Sequence, residues 1–272
     1  MNDSLRDLVA SWWLIRDADT GSQVDALLEP LLAAGVLPDG HESFSAVLLG
    51  EQYHLGGAED TRRMAEVLSI TAADRVIDLA CYVGGPARQL AHDYGCEVVG
   101  VDISPVHIAV AQALTSLCGL GNRVAFICAS ADAVPLRDAS FTVAWSQCSF
   151  PSDLSWLTEM HRLLVPGGRI AFTGLIRRSN LSDPSHYSLD EMRERVADFG
   201  FRVTSTEDIS EMDLEYGWYP AKQKLRQNNA HYCSLMGEEW VRKAFESLDA
   251  DIAAWQSGSM GCGRIVAMKE VQ

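Results

Sequence analysis

Short apolar runs alternate with amphipathic segments through the middle of the chain. The runs that predict strands cover residues 76–79, 97–101, 124–128, 141–145 and 169–175. Helical spacing of apolar residues predicts helices between them, over about 85–93, 105–118 and 154–164. Nearly continuous apolar runs are typical of strands buried on both faces of a parallel sheet. The alternation of such strands with helices predicts a doubly wound α/β domain.

The regions on either side of this pattern are predicted to be mainly helical. Before it, the apolar spacing predicts a helix with Leu5, Leu8, Val9, Trp12 and Trp13 on one face, a second helix over 23–34, a short helix or turn over 43–49 and a helix over 58–68. After it come a helix over 189–199, a half-exposed strand over 201–206, an aromatic-rich helical stretch over 217–256 and a last strand over 264–268. We therefore expect a helical cap with a substrate-side loop over 1–70, and a sheet domain over 71–272. That domain contains a lid inserted at about 210–258, before the last strand.

Composition and charge narrow the range of partners. The chain has 272 residues, 47% of them hydrophobic and 22% charged, as an ordinary globular protein has. Its net charge is −15, and no basic patch offsets it, so we expect no nucleic-acid partner. We also expect a small-molecule substrate and no membrane partner, since no apolar run is long enough to span a bilayer. A homodimer stays open.

Most of the cysteines are predicted to be free thiols that pack in the core. The seven are scattered at 81, 96, 118, 128, 148, 233 and 262, with no C-x-x-C pair, so neither a zinc site nor a disulfide framework is predicted. Free thiols and an N-terminus without a basic start or apolar run predict a cytoplasmic protein and no metal.

The first strand of the pattern leads into a turn rich in small residues. The strand predicted over 76–79 has an acid, Asp78, next to its last residue. A turn with paired glycines at 84 and 85 follows, and the next helix begins there. In that order, strand, turn and helix start bring backbone N–H groups and a positive helix end toward a ligand. A paired-glycine turn alone is a weak signal for a ligand loop.

Polar residues follow the other strands at the same predicted edge of the sheet. The second run ends in Asp102, the third is followed by Asp132, and the fourth leads into Ser146 and Gln147. Ligands of open parallel sheets bind at these carboxyl ends. A carboxylate at Asp102 suits a ribose diol because it can accept both hydroxyl protons, and Asp132 suits an adenine amino group.

Four motifs together resemble the class I S-adenosylmethionine-dependent methyltransferases. They are Asp78-x-Ala80-x-Tyr82-x-Gly84, the strand end 101–105, the loop 130–136 and the turn 162–170 ahead of the fifth strand. Shorter motifs at 49–57, 84–88 and 145–147 most resemble the sarcosine/dimethylglycine N-methyltransferase-like branch. The resemblance implies a Rossmann-like methyltransferase fold whose seven-stranded mixed sheet has an antiparallel last strand.

The resemblance also implies where the cofactor, S-adenosyl-L-methionine, is held. The implied cofactor-binding residues are Asp78, Ala80, Tyr82, Gly84, Asp102, Ile103, Asp132, Ala133 and Ser146. Methyl transfer requires positioning of the acceptor and, for an amine, removal of a proton. Tyr53, His54 and Gln147 are the candidate catalytic residues. The candidate substrate contacts are Gln52, Tyr82, Cys148, Trp218 and Tyr219.

Two departures from the family pattern leave an alternative function open. Ala80 and Tyr82 stand where the family has glycine or another small residue, and Cys148 replaces an acid usual in the related branch. Glycine at the first two positions permits unusual backbone angles and a close approach of the cofactor. The leading expectation is methylation of a small molecule at an amine nitrogen. The alternative is a repurposed methyltransferase fold that acts as a cyclase, lyase or isomerase.

Overall fold

A computed structural model describes residues 48–151, 153–179, 183 and 185–271. The helices predicted over 5–13 and 23–34 lie outside the described residues. So does most of the segment 43–49, of which Leu48 and Leu49 are helical. The division at residue 70 stays a prediction.

A seven-stranded sheet forms the centre of the chain. Its strands are β1 Arg75–Leu79, β2 Glu97–Asp102, β3 Val124–Cys128, β4 Phe141–Ser146, β5 Leu164–Leu175, β6 Phe201–Asp208 and β7 Cys262–Lys269. They lie in the order β3-β2-β1-β4-β5-β7-β6, and β7 is antiparallel to both of its neighbours. The predicted doubly wound mixed sheet is confirmed. Ligand sites of such sheets lie at the carboxyl ends, on either side of the point where the strand order reverses.

The helices are α1 Gly57–Val67, α2 Gly85–Tyr94, α3 Pro105–Leu117, α4 Trp156–Leu163, α5 Leu189–Asp198, α6 Ser210–Asp213, α7 Tyr219–Gln227, α8 Asn229–Met236 and α9 Glu238–Ser257, with a π-helical turn at Leu214–Trp218. The helices that connect consecutive strands cover the two faces of the sheet. Two buried apolar clusters fill the space between the helices and the sheet. A third apolar cluster joins the segment between β6 and β7 to Leu48 and Leu55. The inserted helices therefore pack on the segment that precedes α1.

The boundaries of α4 and β5 differ from the sequence prediction for reasons that the backbone shows. The helix predicted from residue 154 begins at Trp156, because Leu154 has a left-handed φ of 60°. The turn predicted at 162–170 lies largely inside β5, which pairs Leu164 with Phe141 and next pairs Arg169 with Val143. The extra residues of β5 form a bulge in which Gly167 has φ 74°.

Candidate active site

The turn after β1 has a backbone that glycine would favour. Ala80, Tyr82 and Gly84 have φ values of 59°, 50° and 77°, all left-handed. Non-glycine residues in this region cost on the order of 1–2 kcal/mol. The turn therefore keeps the geometry of a glycine-rich loop at two positions that carry other residues. At Gly85, a Cβ would lie 2.3 Å from the carbonyl oxygen of Glu51, so this helix start closely contacts the segment before α1.

Asp102 joins β2 to this turn. Its Oδ2 accepts the backbone N–H of Tyr82 at 3.0 Å, and its Oδ1 accepts the N–H of Ser104 at 2.9 Å. The imidazole Nδ1 of His107, in the first turn of α3, lies 3.1 Å from the same Oδ1. Asp102 is 9% exposed. Three donors therefore fix a carboxylate that still reaches the surface at the carboxyl end of β2.

Asp78, at the end of β1, is a buried acid with an unused oxygen. Its side chain is 2% exposed, and Oδ2 has no hydrogen-bond partner in the described structure. Burial, and next the charge of Asp102, raise its pKa to about 8. The carboxyl group is therefore mainly protonated at neutral pH, and a cationic group beside it would favour the charged form.

The ring of Tyr82 lies beside the predicted ribose site. Its centroid is 5.0 Å from that of Tyr53 and 4.7 Å from that of His107, with the His107 ring nearly perpendicular. Together with Val83 and Leu114 it forms a small buried cluster against α3. The structure thus brings Tyr53 and Tyr82 together, and both lie on the Asp102 side of the site.

The residues predicted to hold the adenine are exposed at the same edge. Ile103 is 74% exposed, which is unusual for a large apolar side chain, and Asp132 and Ala133 in the loop after β3 are exposed too. An exposed aliphatic side chain next to Asp102 offers an apolar surface to a flat ring.

His54 and Gln147 meet in a buried polar network. The Thr61 hydroxyl lies 3.1 Å from both Gln147 Oε1 and His54 Nε2, and Gln147 Nε2 donates to Asp60 Oδ2 at 2.7 Å. Gln52 Oε1 lies 3.0 Å from His54 Nε2. The sequence predicted Gln52, His54 and Gln147 as site residues. The network connects them through Asp60 and Thr61 of α1.

Burial keeps the imidazole of His54 neutral. The imidazole is 3% exposed, and its Nδ1 lies 3.0 Å from the Leu55 carbonyl oxygen, which can only accept. Burial lowers the pKa of His54, although the nearby Asp60 acts in the opposite direction. The ring is thus neutral near pH 7, as a base must be, but its nitrogens already contact protein groups. The predicted catalytic role of His54 stays a prediction, and this geometry favours a positioning role.

Two charged members of the network were not predicted from the sequence. Asp60 is fully buried and forms an ion pair with Arg264, which is 2% exposed and also donates to Glu207 at 2.7 Å. The sequence did not indicate that Asp60 is buried, because α1 has the charge pattern of a surface helix. Arg264 did leave a signal, since it is a cation within an otherwise apolar run in a strand with a neighbour on each side.

The remaining predicted residues lie in different environments. Ser146 is fully buried, and its hydroxyl has no partner in the described structure. The backbone N–H of Cys148 donates to Thr173 Oγ1 at 2.9 Å. Trp218 is buried against Trp255, whereas Tyr219 is 44% exposed and accepts a hydrogen bond from Gln256. Trp218 and Tyr219 therefore do not form one aromatic wall.

A cavity of about 460 Å³ lies farther along the carboxyl edge. It is lined by Ile176, Arg177, Arg178, Leu189, Asp208, Gln256, Ser257 and Gly258. Arg177 pairs with Glu191 and Arg178 with Asp208, so the cations there are balanced by acids. Tyr219 reaches this cavity through its contact with Gln256.

The chain is similar to known methyltransferases. Residues 76–168 match the family described as a methyltransferase domain. The chain is 28% identical over 197 residues to a sterol 24-C-methyltransferase of Eremothecium gossypii, covering 65% of this chain and 53% of that protein. It is 28% identical over 227 residues to a glycine/sarcosine/dimethylglycine N-methyltransferase of Actinopolyspora halophila, covering 76% and 39%. A solved [4+2]-cyclase, SpnF, has TM-score 0.67 and 24% identity over 93% of this chain and 96% of that one.

The fold is that of the class I methyltransferases, and the resemblance found in the sequence is confirmed. Residues 76–168 match a methyltransferase domain, and the chain is similar to methyltransferases that act on sterols and on sarcosine and dimethylglycine. Its relatives include the sarcosine/dimethylglycine branch, but C-methyltransferases of sterols are among them as well. The matches span about half the length of the first curated relatives. Among the described residues, no helix is long and apolar enough to cross a membrane.

Proposed function

We propose that this chain binds S-adenosyl-L-methionine and transfers its methyl group to an amine nitrogen of a small molecule. The observation that carries the cofactor assignment is the anchored Asp102, which holds the turn after β1 through the Tyr82 N–H. The amine is supported by an N-methyltransferase among the relatives and by the net charge of −15, which favours a cationic acceptor.

The residues at the carboxyl edge fit the chemical groups of this cofactor. Asp102 and the exposed Ile103 suit the ribose and the adenine, and Asp132 suits the adenine amino group. Asp78 Oδ2 and the Ser146 hydroxyl are buried without partners, and they suit the ammonium and carboxylate of the methionine part. When bound, the cofactor supplies an electrophilic methyl group.

In the reaction, the protein orients the acceptor amine. Gln147 is held by Thr61, Trp145 and Asp60, so its amide has one fixed orientation at the end of β4. His54, kept neutral by burial, supports that orientation from α1's side. We propose that these two position the acceptor amine, which loses its proton to water or to a group of the network before it attacks.

A methyl-transfer assay tests the proposal. Labelled S-adenosylmethionine is offered with glycine, sarcosine, dimethylglycine and phosphoethanolamine, and in parallel with a sterol and a phenol. We expect label in an amine product, and Gln147→Ala should lower kcat more than cofactor affinity. Label only in the sterol or phenol would overturn the amine assignment, and no labelled product with tight cofactor binding would favour the alternative function.

The alternative is a repurposed fold that catalyses cyclisation, lysis or isomerisation without methyl transfer. Tyr82 supports it, because a phenol stands where the family has glycine. Tyr82→Gly separates the two functions, with Ala80→Gly as a matched control that removes the same backbone strain but no ring. For a methyltransferase, we expect cofactor affinity within a few fold of wild type and a fall in turnover. A rise in affinity above about tenfold, or ~1.4 kcal/mol, in Tyr82→Gly alone would favour the repurposed fold.

A further inference from the structure

The imidazole of His107 carries an acceptor that the described structure does not use. Its Nδ1 lies 3.1 Å from Asp102 Oδ1, and an ionised carboxylate can only accept a hydrogen bond. A neutral imidazole in this contact carries its proton on Nδ1 and its lone pair on Nε2. That Nε2 atom is buried and has no hydrogen-bond partner among the described residues. Buried polar atoms without partners are uncommon in folded proteins, so this atom calls for an explanation.

The acceptor capacity of Asp102 supplies one. A carboxylate offers about four acceptor positions. Two on Oδ1 are taken by the Ser104 N–H and by His107, and one on Oδ2 by the Tyr82 N–H. About one position is left, whereas a ribose diol brings two hydroxyl donors. The expectation from the sequence that Asp102 accepts both hydroxyl protons therefore exceeds what its geometry allows.

We propose that His107 Nε2 is the second acceptor for the ribose, so that Asp102 and His107 each bind one hydroxyl of the diol. The proposal rests on the proposed use of S-adenosylmethionine and adds a nucleoside-binding residue to it. Asp102 has two functions here, since it accepts one hydroxyl directly and fixes the His107 tautomer that accepts the other.

The surroundings of His107 hold the ring in place for this role. The backbone N–H of His107 donates to Ser104 Oγ at 3.3 Å, at the N-terminal cap of α3. The Tyr82 ring packs nearly perpendicular to the imidazole at 4.7 Å between centroids. A tyrosine in a turn that favours glycine thus restricts the orientation of the imidazole.

Calorimetry with three ligands tests the assignment: S-adenosylhomocysteine and its 2′-deoxy and 3′-deoxy analogues. For the wild type, we expect each deoxy analogue to bind roughly tenfold more weakly. The main variant is His107→Asn, whose amide nitrogen can still donate to Asp102 but which has no acceptor at the Nε2 position. It should bind S-adenosylhomocysteine roughly tenfold more weakly, and one of the two deoxy penalties should vanish while the other persists.

A matched control and a second variant complete the test. His92 forms a similar contact with Asp93, Nδ1 to Oδ1 at 2.7 Å, but on the exposed surface of α2, so His92→Asn should leave all three affinities unchanged. His107→Phe repeats the measurement if His107→Asn does not fold. A variant that weakens all three ligands equally, with both deoxy penalties intact, would show a merely structural role and overturn the proposal. Wild-type protein that binds none of the ligands would overturn the proposed function, and the inference with it.

Discussion

Single residues at the carboxyl edge have protonation states that the cofactor should change. Asp78 is the clearest case, because burial and the charge of Asp102 raise its pKa to about 8. At pH 7 about nine-tenths of this carboxyl group is protonated. A ligand ammonium beside Asp78 would stabilise the carboxylate, lower its pKa and release the proton.

Proton release on cofactor binding is the first prediction. We expect S-adenosylhomocysteine binding at pH 7 to release between about 0.5 and 0.9 proton, and affinity to rise with pH up to about 8 and then level off. The measurement is calorimetry in two buffers that differ in ionisation enthalpy. Asp78→Asn should release no proton and lose the pH dependence, while Asp93→Asn, an exposed acid on α2, should behave as wild type. Equal heats in the two buffers for wild type would contradict the assignment of Asp78.

The sequence alone predicted the position of some residues of the site but not of others. Asp102 was predictable because a strand-terminal acid lies at the carboxyl edge whatever the packing of the rest. The network of His54 was not, since its partners Asp60, in α1, and Gln147, just after β4, meet only in the folded chain. The ring of Tyr82 was not predictable either, because a left-handed φ leaves its direction to the surrounding contacts.

Among the elements, α2 and the segment before α1 are held together by a buried ion pair. Arg88 of α2 is 4% exposed, pairs with Glu51 and donates to the Val83 carbonyl at 2.7 Å. The pair therefore connects the turn after β1 to the segment that contains Tyr53 and His54. Removal of one member of a buried pair costs about 3–5 kcal/mol because the other charge stays desolvated.

Arg88→Met is the second prediction. We expect it to lower the free energy of unfolding by about 3–5 kcal/mol, and the double variant Glu51→Gln with Arg88→Met to recover most of that loss. Arg62→Met on α1 is the control, since Arg62 pairs with Glu59 and Glu66 at the surface, where solvent screens the charges, and its loss should change the free energy of unfolding little. Urea unfolding measures all of these. If Arg88→Met and Arg62→Met lowered the free energy of unfolding equally little, the Arg88 pair would not hold the turn.

The elements were predictable where one pattern decided them. Strands β1 to β4 agree with the sequence prediction within one residue, because each is a nearly continuous apolar run. At β5 the local signal failed. Pro166, Gly167 and Gly168 are typical of a turn, but here they form a bulge inside β5. The bulge lies between Leu164, which pairs with Phe141, and Arg169, which pairs with Val143 and Met268. At this point of β5, strand pairing had a larger effect on the backbone than local turn propensity.

At the scale of the whole molecule, buried charges join the inserted helices to the sheet. Asp213 at the end of α6 is fully buried, and its Oδ2 accepts the indole N–H of Trp255 on α9 at 3.1 Å. Asp60 of α1 and Arg264 and Cys262 of β7 act on the same carboxyl group. Burial first, and then the charge of Asp60, raise the pKa of Asp213 to about 7, although Trp255, Cys262 and Arg264 act in the opposite direction.

The last prediction is a pH-dependent loss of stability that originates at Asp213. The folded pKa of about 7 exceeds the ordinary value of 3.8, so the folded state binds the proton more tightly than the unfolded state does. The protonated form stabilises the fold below about pH 4, and this contribution is lost as pH rises from about 4 to 7. Asp213→Asn keeps the shape without the charge. Its melting temperature relative to wild type should therefore rise across that window and level off above pH 7.

The control for Asp213→Asn is Glu211→Gln, which removes an exposed acid from the same helix. It should differ from wild type by a small offset that does not change with pH. The full linkage at Asp213 is on the order of 4 kcal/mol, which corresponds to several degrees or more in a domain of this size. Asp78 also titrates near neutral pH, but it is present in both variants and in wild type, so its effect cancels in the comparison. Parallel melting curves for Asp213→Asn and wild type from pH 5 to 8 would mean that Asp213 is ionised in the fold throughout. The network between α1, β7 and the inserted helices would then be held by charge pairs alone.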